Sequence, residues 1–284
     1  MRFPIPRKPR GHRRPRLTRR GRLVLITGVL ALVAAGTLVP LLLMREPATP
    51  PPEQPRSLLV PEGWRSTQVY EAVDKALGVP PGTTRTTAAS PGLGLPAAAG
   101  GNPEGFLFPA TYPIVDATTP RGLLRYMIDT AGERFGTPRV TQGSQRNSLT
   151  LYETVTIASI VQAEADTEED MGKVARVIHN RLARGMPLQM DSTLNYALGR
   201  STLDTSHADT RLDSPYNTYA GTGLPPTPIG NPGEQAVHAA IDPPPGDWLY
   251  FVTVRPGDTR FTDDYAEQLR NVEEFNAHRR TATP

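Results

Sequence analysis

The sequence predicts an α+β protein carried behind one apolar N-terminal helix. Three observations predict it. Residues 151–182 hold two successive amphipathic helical patterns. W-L-Y-F-V-T-V at 248–254 is β-branched and aromatic throughout, as a strand should be. Residues 23–44 run for 22 positions without a charged side chain, close to the ~20 needed to span a bilayer as a helix.

Charge divides the chain in the same place. The first 45 residues hold 11 of the 31 Lys and Arg and none of the 28 Asp and Glu, which leaves residues 46–284 with 20 basic against 28 acidic side chains, a net of −8. A basic tail (1–22) before the apolar run (23–44) puts the N-terminus in the cytoplasm and the acidic body outside, by the positive-inside rule. The run exceeds a usual signal-peptide core, so an anchor is expected rather than a cleaved leader. A tail tethered at a membrane reads as a topology determinant or a partner of anionic lipid, and no nucleic-acid partner is expected. With no cysteine, the body must fold without disulfides, and thiol chemistry is excluded. The five histidines show no metal-ligand spacing, so neither a metal nor a cofactor is predicted.

Residues 45–56 are a proline-rich spacer. A small unit follows at 57–103: a short strand, then a helix started by Ser66 or Thr67 with Val69, Val73, Ala76 and Leu77 on one face, then a Pro/Gly/Ala/Thr-rich loop over 80–103. From 104 to 284 the main domain begins with E-G-F-L-F-P-A-T-Y, which alternates aromatics. Thr119-Pro120 starts a helix through Arg134 that buries Leu123, Leu124, Met127 and Ile128. Ser148 is the expected cap of the next helix. Thr167, followed by three acids, caps the second arm of a hairpin that stops at Gly185. Beyond Gly185 the pattern is mostly loops before the strand at 248–254 and a final polar helix over 263–278.

The chemistry concentrates at Glu164, in T-I-A-S-I-V-Q-A-E. Helical spacing lines it up with Ile157, Ile160 and Val161, so its carboxylate projects along an apolar stripe. Desolvation there favours the protonated acid, the form that donates a proton near neutral pH. A paired-carboxylate mechanism finds no partner on the helix: Glu153 shares the stripe but lies eleven residues back, about 16 Å, beyond the ~5–9.5 Å of such pairs. Asp191 stays open as a partner. The loops beyond Gly185 offer Gln189, Asp191, Thr193, Tyr196, Tyr216, Asn217, Tyr219 and Asn231, residue types that match sugar hydroxyls, N-acetyl groups and sugar faces but also occur as ordinary turn residues. Motifs for serine hydrolases, penicillin-binding enzymes and nucleotide sites are absent.

E-G-F-L-F-P-A-T-Y, A-S-I-V-Q-A-E, H-N-R-L-A-R-G-M-P-L-Q-M-D-S-T, Y-N-T-Y, G-L-P-P-T-P-I-G-N-P-G and L-Y-F-V, in this order behind an anchor, resemble the MltG (YceG-like) family of endolytic murein transglycosylases over about residues 58–276. The resemblance implies a LysM-like small subdomain before a catalytic α+β domain, a peptidoglycan substrate, and peptidoglycan synthases as candidate partners at the plasma (inner) membrane. It implies Glu164 as the catalytic acid. Gln162 stands where the family has a further Glu, which strengthens Glu164 as the titrating group, and Thr259 stands where it usually has His, so no role passes to that position. It further implies that one Glu serves as acid and then base, while the MurNAc C6 hydroxyl replaces water and leaves a 1,6-anhydro end, with Asp191, Tyr216 and Asn217 orienting sugar or stabilising positive charge. Two alternatives stay open: a hydrolytic muramidase using Glu164 and Asp191, and a non-catalytic cell-wall scaffold.

Overall fold

The computed structural model describes residues 18–20, 23–24, 27–33, 56–200 and 205–282. The chain divides into two compact units, 1–54 and 55–284. In the first, residues 27–33 are helical, and Val29, Leu30, Leu32 and Val33 are each more than half exposed. Among the described residues no helix is long and apolar enough to cross a membrane. Residues 25–26 and 34–44 of the predicted anchor at 23–44, most of the basic tail and residues 45–55 of the spacer lie outside the described residues.

The second unit is α+β, with two small antiparallel ladders set among helices. β1 (Ser57–Leu59) pairs with β2 (Thr111–Pro113), in register Leu58 to Tyr112. Between them come α1 (Ser66–Leu77) and α2 (Thr83–Ala88). Next are α3 (Pro120–Phe135), α4 (Pro138–Arg146), α5 (Leu151–Glu164), α6 (Glu168–Ala183), α7 (Asp191–Ala197) and α8 (Glu234–Ile241). β3 (Tyr250–Arg255) and β4 (Asp258–Thr262) form the second ladder, and α9 (Tyr265–Ala282) closes the unit.

The predicted α3 forms as expected: Thr119 caps it by accepting from the Gly122 N–H, and Leu123, Leu124, Met127 and Ile128 are buried. So does α6, whose Thr167 cap accepts from the Asp170 N–H and which is followed by Gly185 at φ +64°. α1 starts at Ser66, as expected, behind Arg65 as its N-cap: Gln68 reaches back to the Arg65 N–H and Glu104 takes the Ser66 N–H. Three expectations need correction. α5 is capped by Thr150, not Ser148: Thr150 and Glu153 close a reciprocal capping box, while Ser148 sits at φ +57° outside the helix. The loop predicted over 80–103 contains α2, organised by Asp74, which accepts from the Gly82 and Thr84 N–H groups. The stretch after Gly185 holds two helices, α7 and α8.

Two apolar clusters stabilise this unit. The larger joins α5, α6 and α8 with Phe106, Phe108, Phe135 and Leu188, and the hairpin stripe of Ile157, Ile160, Val174 and Ile178 is wholly buried in it. The smaller joins β1, α1, β2 and α3. E-G-F-L-F lies between them. Alternation sends Phe106 and Phe108 into the larger cluster and Leu107 into the smaller. The smaller cluster therefore draws on residues from both sides of position 103: Val69 and Val73 before it, Leu124 and Met127 after it.

Candidate active site

Glu164 is the last residue of α5, where the chain turns from one arm of the hairpin to the other. The apolar stripe that carries it is fully buried through Ile160 and Val161, but the hairpin corner opens and leaves Glu164 half-buried. Burial of the carboxyl raises its pKa above the ordinary 4.5, and the negative charge of Asp191 raises it further. Ser192 works the other way, donating its backbone N–H to Glu164 Oε1 at 3.3 Å. The Ser192 Oγ is buried beside the carboxyl without a well-formed hydrogen bond, although its proximity also favours the anion. The net shift is upward, towards the protonated form.

α7 brings these groups to Glu164. Its first residue is Asp191, which accepts a 2.6 Å hydrogen bond from the Tyr219 hydroxyl. Burial, followed by the hydrogen bond to Asp191 and its negative charge, holds the Tyr219 phenol above its ordinary range, so it stays a hydrogen-bond donor. The loop leading into α7 is held by Arg181. That buried guanidinium donates to the carbonyls of Leu249 (2.6 Å), Pro187 (3.0 Å) and Leu188 (2.8 Å), and to Gln189 Oε1 (3.0 Å). Gln189 sits at φ +53° and is exposed, its N–H bonded to the Thr218 carbonyl.

The predicted residues thus separate into two groups. Glu164, Asp191 and Tyr219 come together beside Ser192, which was not among the predicted residues, with Gln189 tied to the same loop. The others support that arrangement from behind. Thr193 is buried and bonds the Met190 carbonyl and the Thr218 hydroxyl. Asn217 is buried and spends its amide on its own loop, donating to the Thr210 and Leu212 carbonyls and accepting from Tyr219 and Ala220 N–H groups. Tyr216 bonds Thr227 at 2.8 Å and packs on Tyr196. Asn231 is wholly buried between the Leu107 N–H and the Trp64 carbonyl. Gln162 accepts from the Gly233 N–H, so it serves loop anchoring.

Three residues that matter were not singled out from sequence: Ser192, Arg181 and Glu104. Arg181 had a signal, since it falls on the apolar stripe of α6 at helical spacing from Val174 and Ile178, where an unpartnered cation is out of place. Glu104 had none: its burial is created by Ser66, Tyr196 and Asn231, which are distant in the chain. A cavity of about 450 Å³ lies at the far end of the hairpin, between Tyr152, Glu153 and Leu182 on one side and Leu224 to Pro226 on the other. Glu164 does not line it. Among the described residues no group of three His, Asp or Glu is placed to hold a metal ion.

One protonatable carboxyl at a helix corner, faced by a second carboxylate and a phenol, is an arrangement able to give and take a proton. Residues 38–274 match the YceG-like family. The chain is 37% identical over 173 residues to the endolytic murein transglycosylase of Bacillus subtilis, covering 61% of this chain and 48% of that protein. It is 38% identical over 177 residues to the endolytic murein transglycosylase of Streptococcus pneumoniae, covering 60% and 32%. The chain spans about half or less of the length of these curated relatives. The crystal structure of a yceG-like protein from Listeria monocytogenes superimposes with a TM-score of 0.67 at 27% identity, over 76% of this chain and 75% of that one. The chain belongs to the YceG-like family.

Proposed function

We propose that the protein is a membrane-anchored endolytic murein transglycosylase that cleaves the MurNAc-GlcNAc β-1,4 bond of peptidoglycan without water. The observation that carries this reading is the Glu164 site: a half-buried carboxyl held towards its protonated form, at a position matching the acid of the family motif. The names of the curated relatives support the substrate class.

In this reading Glu164 donates its proton to the glycosidic oxygen as the C1–O bond breaks, and positive charge develops at the MurNAc anomeric carbon. The carboxylate left behind then takes the proton of the C6 hydroxyl as O6 bonds to C1, which closes the 1,6-anhydro ring and restores the acid. Asp191 supplies the negative charge that favours the developing cation, and the Tyr219 phenol orients Asp191 through their 2.6 Å bond. Asp191 beside Glu164 also keeps a hydrolytic muramidase as the second reading, in which Asp191 would activate water. Digestion of purified peptidoglycan followed by mass spectrometry separates the two. Anhydro-muropeptides, one water lighter than reducing ends, support the transglycosylase; reducing ends overturn it; intact strands leave a wall-binding scaffold.

The anchor, the LysM-like character of residues 57–103, the location outside the plasma membrane and an association with peptidoglycan synthases complete the proposal. The uncharged run at 23–44 behind ten basic residues supports the anchor. Fractionation of the full chain into membranes, lost on removal of residues 1–54, is the expected result.

A further inference from the structure

Glu104 is a buried carboxylate outside the site described above, and its bonds converge from three distant parts of the chain. Its Oε1 accepts from the Ser66 N–H in the first turn of α1 at 2.9 Å and from the Asn231 side-chain amide at 3.4 Å. Its Oε2 accepts from the Tyr196 hydroxyl at 3.1 Å. The Arg65 guanidinium lies 5.1 Å from the Tyr196 ring centre and donates to the Arg200 carbonyl at the exit of α7. The following residue, Gly105, sits at φ +87° where an added Cβ would lie 2.6 Å from the Pro228 side chain and 3.0 Å from that of Val155, so the segment beside Glu104 has no room for one.

α7 connects this cluster to the acid. Tyr196 and Ser192 are four residues apart on α7, one turn along the same face, about 6 Å of rise. At one turn the helix offers the Ser192 N–H to Glu164; at the next it is tied through Tyr196 to Glu104. The Glu164 bond is long, at 3.3 Å, so a small tilt of α7 suffices to break it.

We propose that Glu104 is a positioning residue for Glu164: it ties the far turn of α7 to the start of α1 and so fixes the Ser192 N–H against the acid. The smaller apolar cluster is thereby coupled to the site through one carboxylate. The groups facing Glu104 are Arg65, Tyr70 and Tyr196, with the Ser66 and Asn231 dipoles; those facing Glu164 are Asp191 and Tyr219. The catalytic side of the inference rests on Glu164 being the acid, but the coupling itself does not.

The test follows the Glu164 carboxyl carbon by NMR in protein labelled at glutamate, in the wild type, Glu104→Ala and Tyr196→Phe, together with kcat and KM on peptidoglycan. The Ser192 N–H stabilises the Glu164 anion, so losing it moves the Glu164 titration to higher pH, and the alkaline limb of the kcat profile moves with it. In Glu104→Ala kcat falls roughly 10- to 100-fold with little change in KM; Tyr196→Phe shows the same changes to a lesser degree, and Glu104→Gln restores most of the loss. Asp74→Asn, which loosens the α1–α2 turn away from Glu104, lowers the melting temperature and leaves the Glu164 titration in place. Should Glu104→Ala not fold, Tyr196→Phe decides alone, since it removes one hydroxyl. A folded variant with unchanged Glu164 titration and unchanged kcat overturns the proposal. A wild type that cuts nothing while the titration still moves would count against the enzymatic reading and leave the coupling standing.

Discussion

Glu164 experiences opposed forces: burial and the Asp191 charge favour its neutral form, and the Ser192 N–H favours its anion. Because its pKa in the folded protein lies above the ordinary 4.5, the folded state holds its proton more tightly than the unfolded state. The group therefore subtracts stability as pH rises from 4.5 through the folded value, and subtracts nothing below that window. Glu164→Gln should abolish anhydro-muropeptide release and raise the melting temperature at pH 7, by ~2–4 °C for each kcal/mol of desolvation relieved. The difference should vanish near pH 3, which calorimetry at both values checks. Asp191→Asn keeps an oxygen for Tyr219 but removes the like charge, so Glu164 titrates lower and the alkaline limb of the activity profile moves to lower pH; a limb that stays in place would remove Asp191 from the electrostatics of the site. Of these groups, Glu164 was legible as a carboxylate on an apolar stripe. The tie of Asp191 to Tyr219 was not, since nothing in the spacing of residues 191 and 219 brings them together.

At the scale of elements, the hairpin and the loop that crosses it position the chemistry. Glu153 shares the face of α5 with Glu164 but is committed to the capping box, where Oε2 takes both the N–H and the hydroxyl of Thr150. Thr150→Ala should therefore cost about 1 kcal/mol of stability and leave the pH profile unchanged, as urea unfolding and rate measurements would show. Gly105 marks the closest approach of the segments. A Cβ there would lie 2.6 Å from the Pro228 side chain, on a backbone at φ +87°. Gly105→Ala should destabilise by ~2 kcal/mol or more, read from the urea midpoint, because strain and overlap add. Long helices with strong caps, α3 and α6, followed from pattern. α4, α7 and α8 did not, because each is short and draws its stability from contacts rather than from its own propensity.

Across the whole molecule, residues 55–284 fold as one compact unit whose smaller apolar cluster spans position 103. Residues 55–284 alone should unfold in a single cooperative thermal transition. A chain beginning at residue 104 would expose Leu124 and Met127, both wholly buried in the unit, and should be insoluble or molten by dye binding and near-UV circular dichroism. Composition and periodicity by themselves determined the basic N-terminal segment with its uncharged run, the absence of thiol chemistry, the helical hairpin and the greasy setting of its terminal carboxylate, because each is a property of neighbours in sequence. Tertiary structure alone decided which polar groups surround that carboxylate, that Asn231 serves as internal scaffolding, and that Glu104 links α1 to α7. Those outcomes depend on segments more than twenty residues apart closing on one another, and hydrogen-bond partners chosen by such closure leave no periodic trace in the chain.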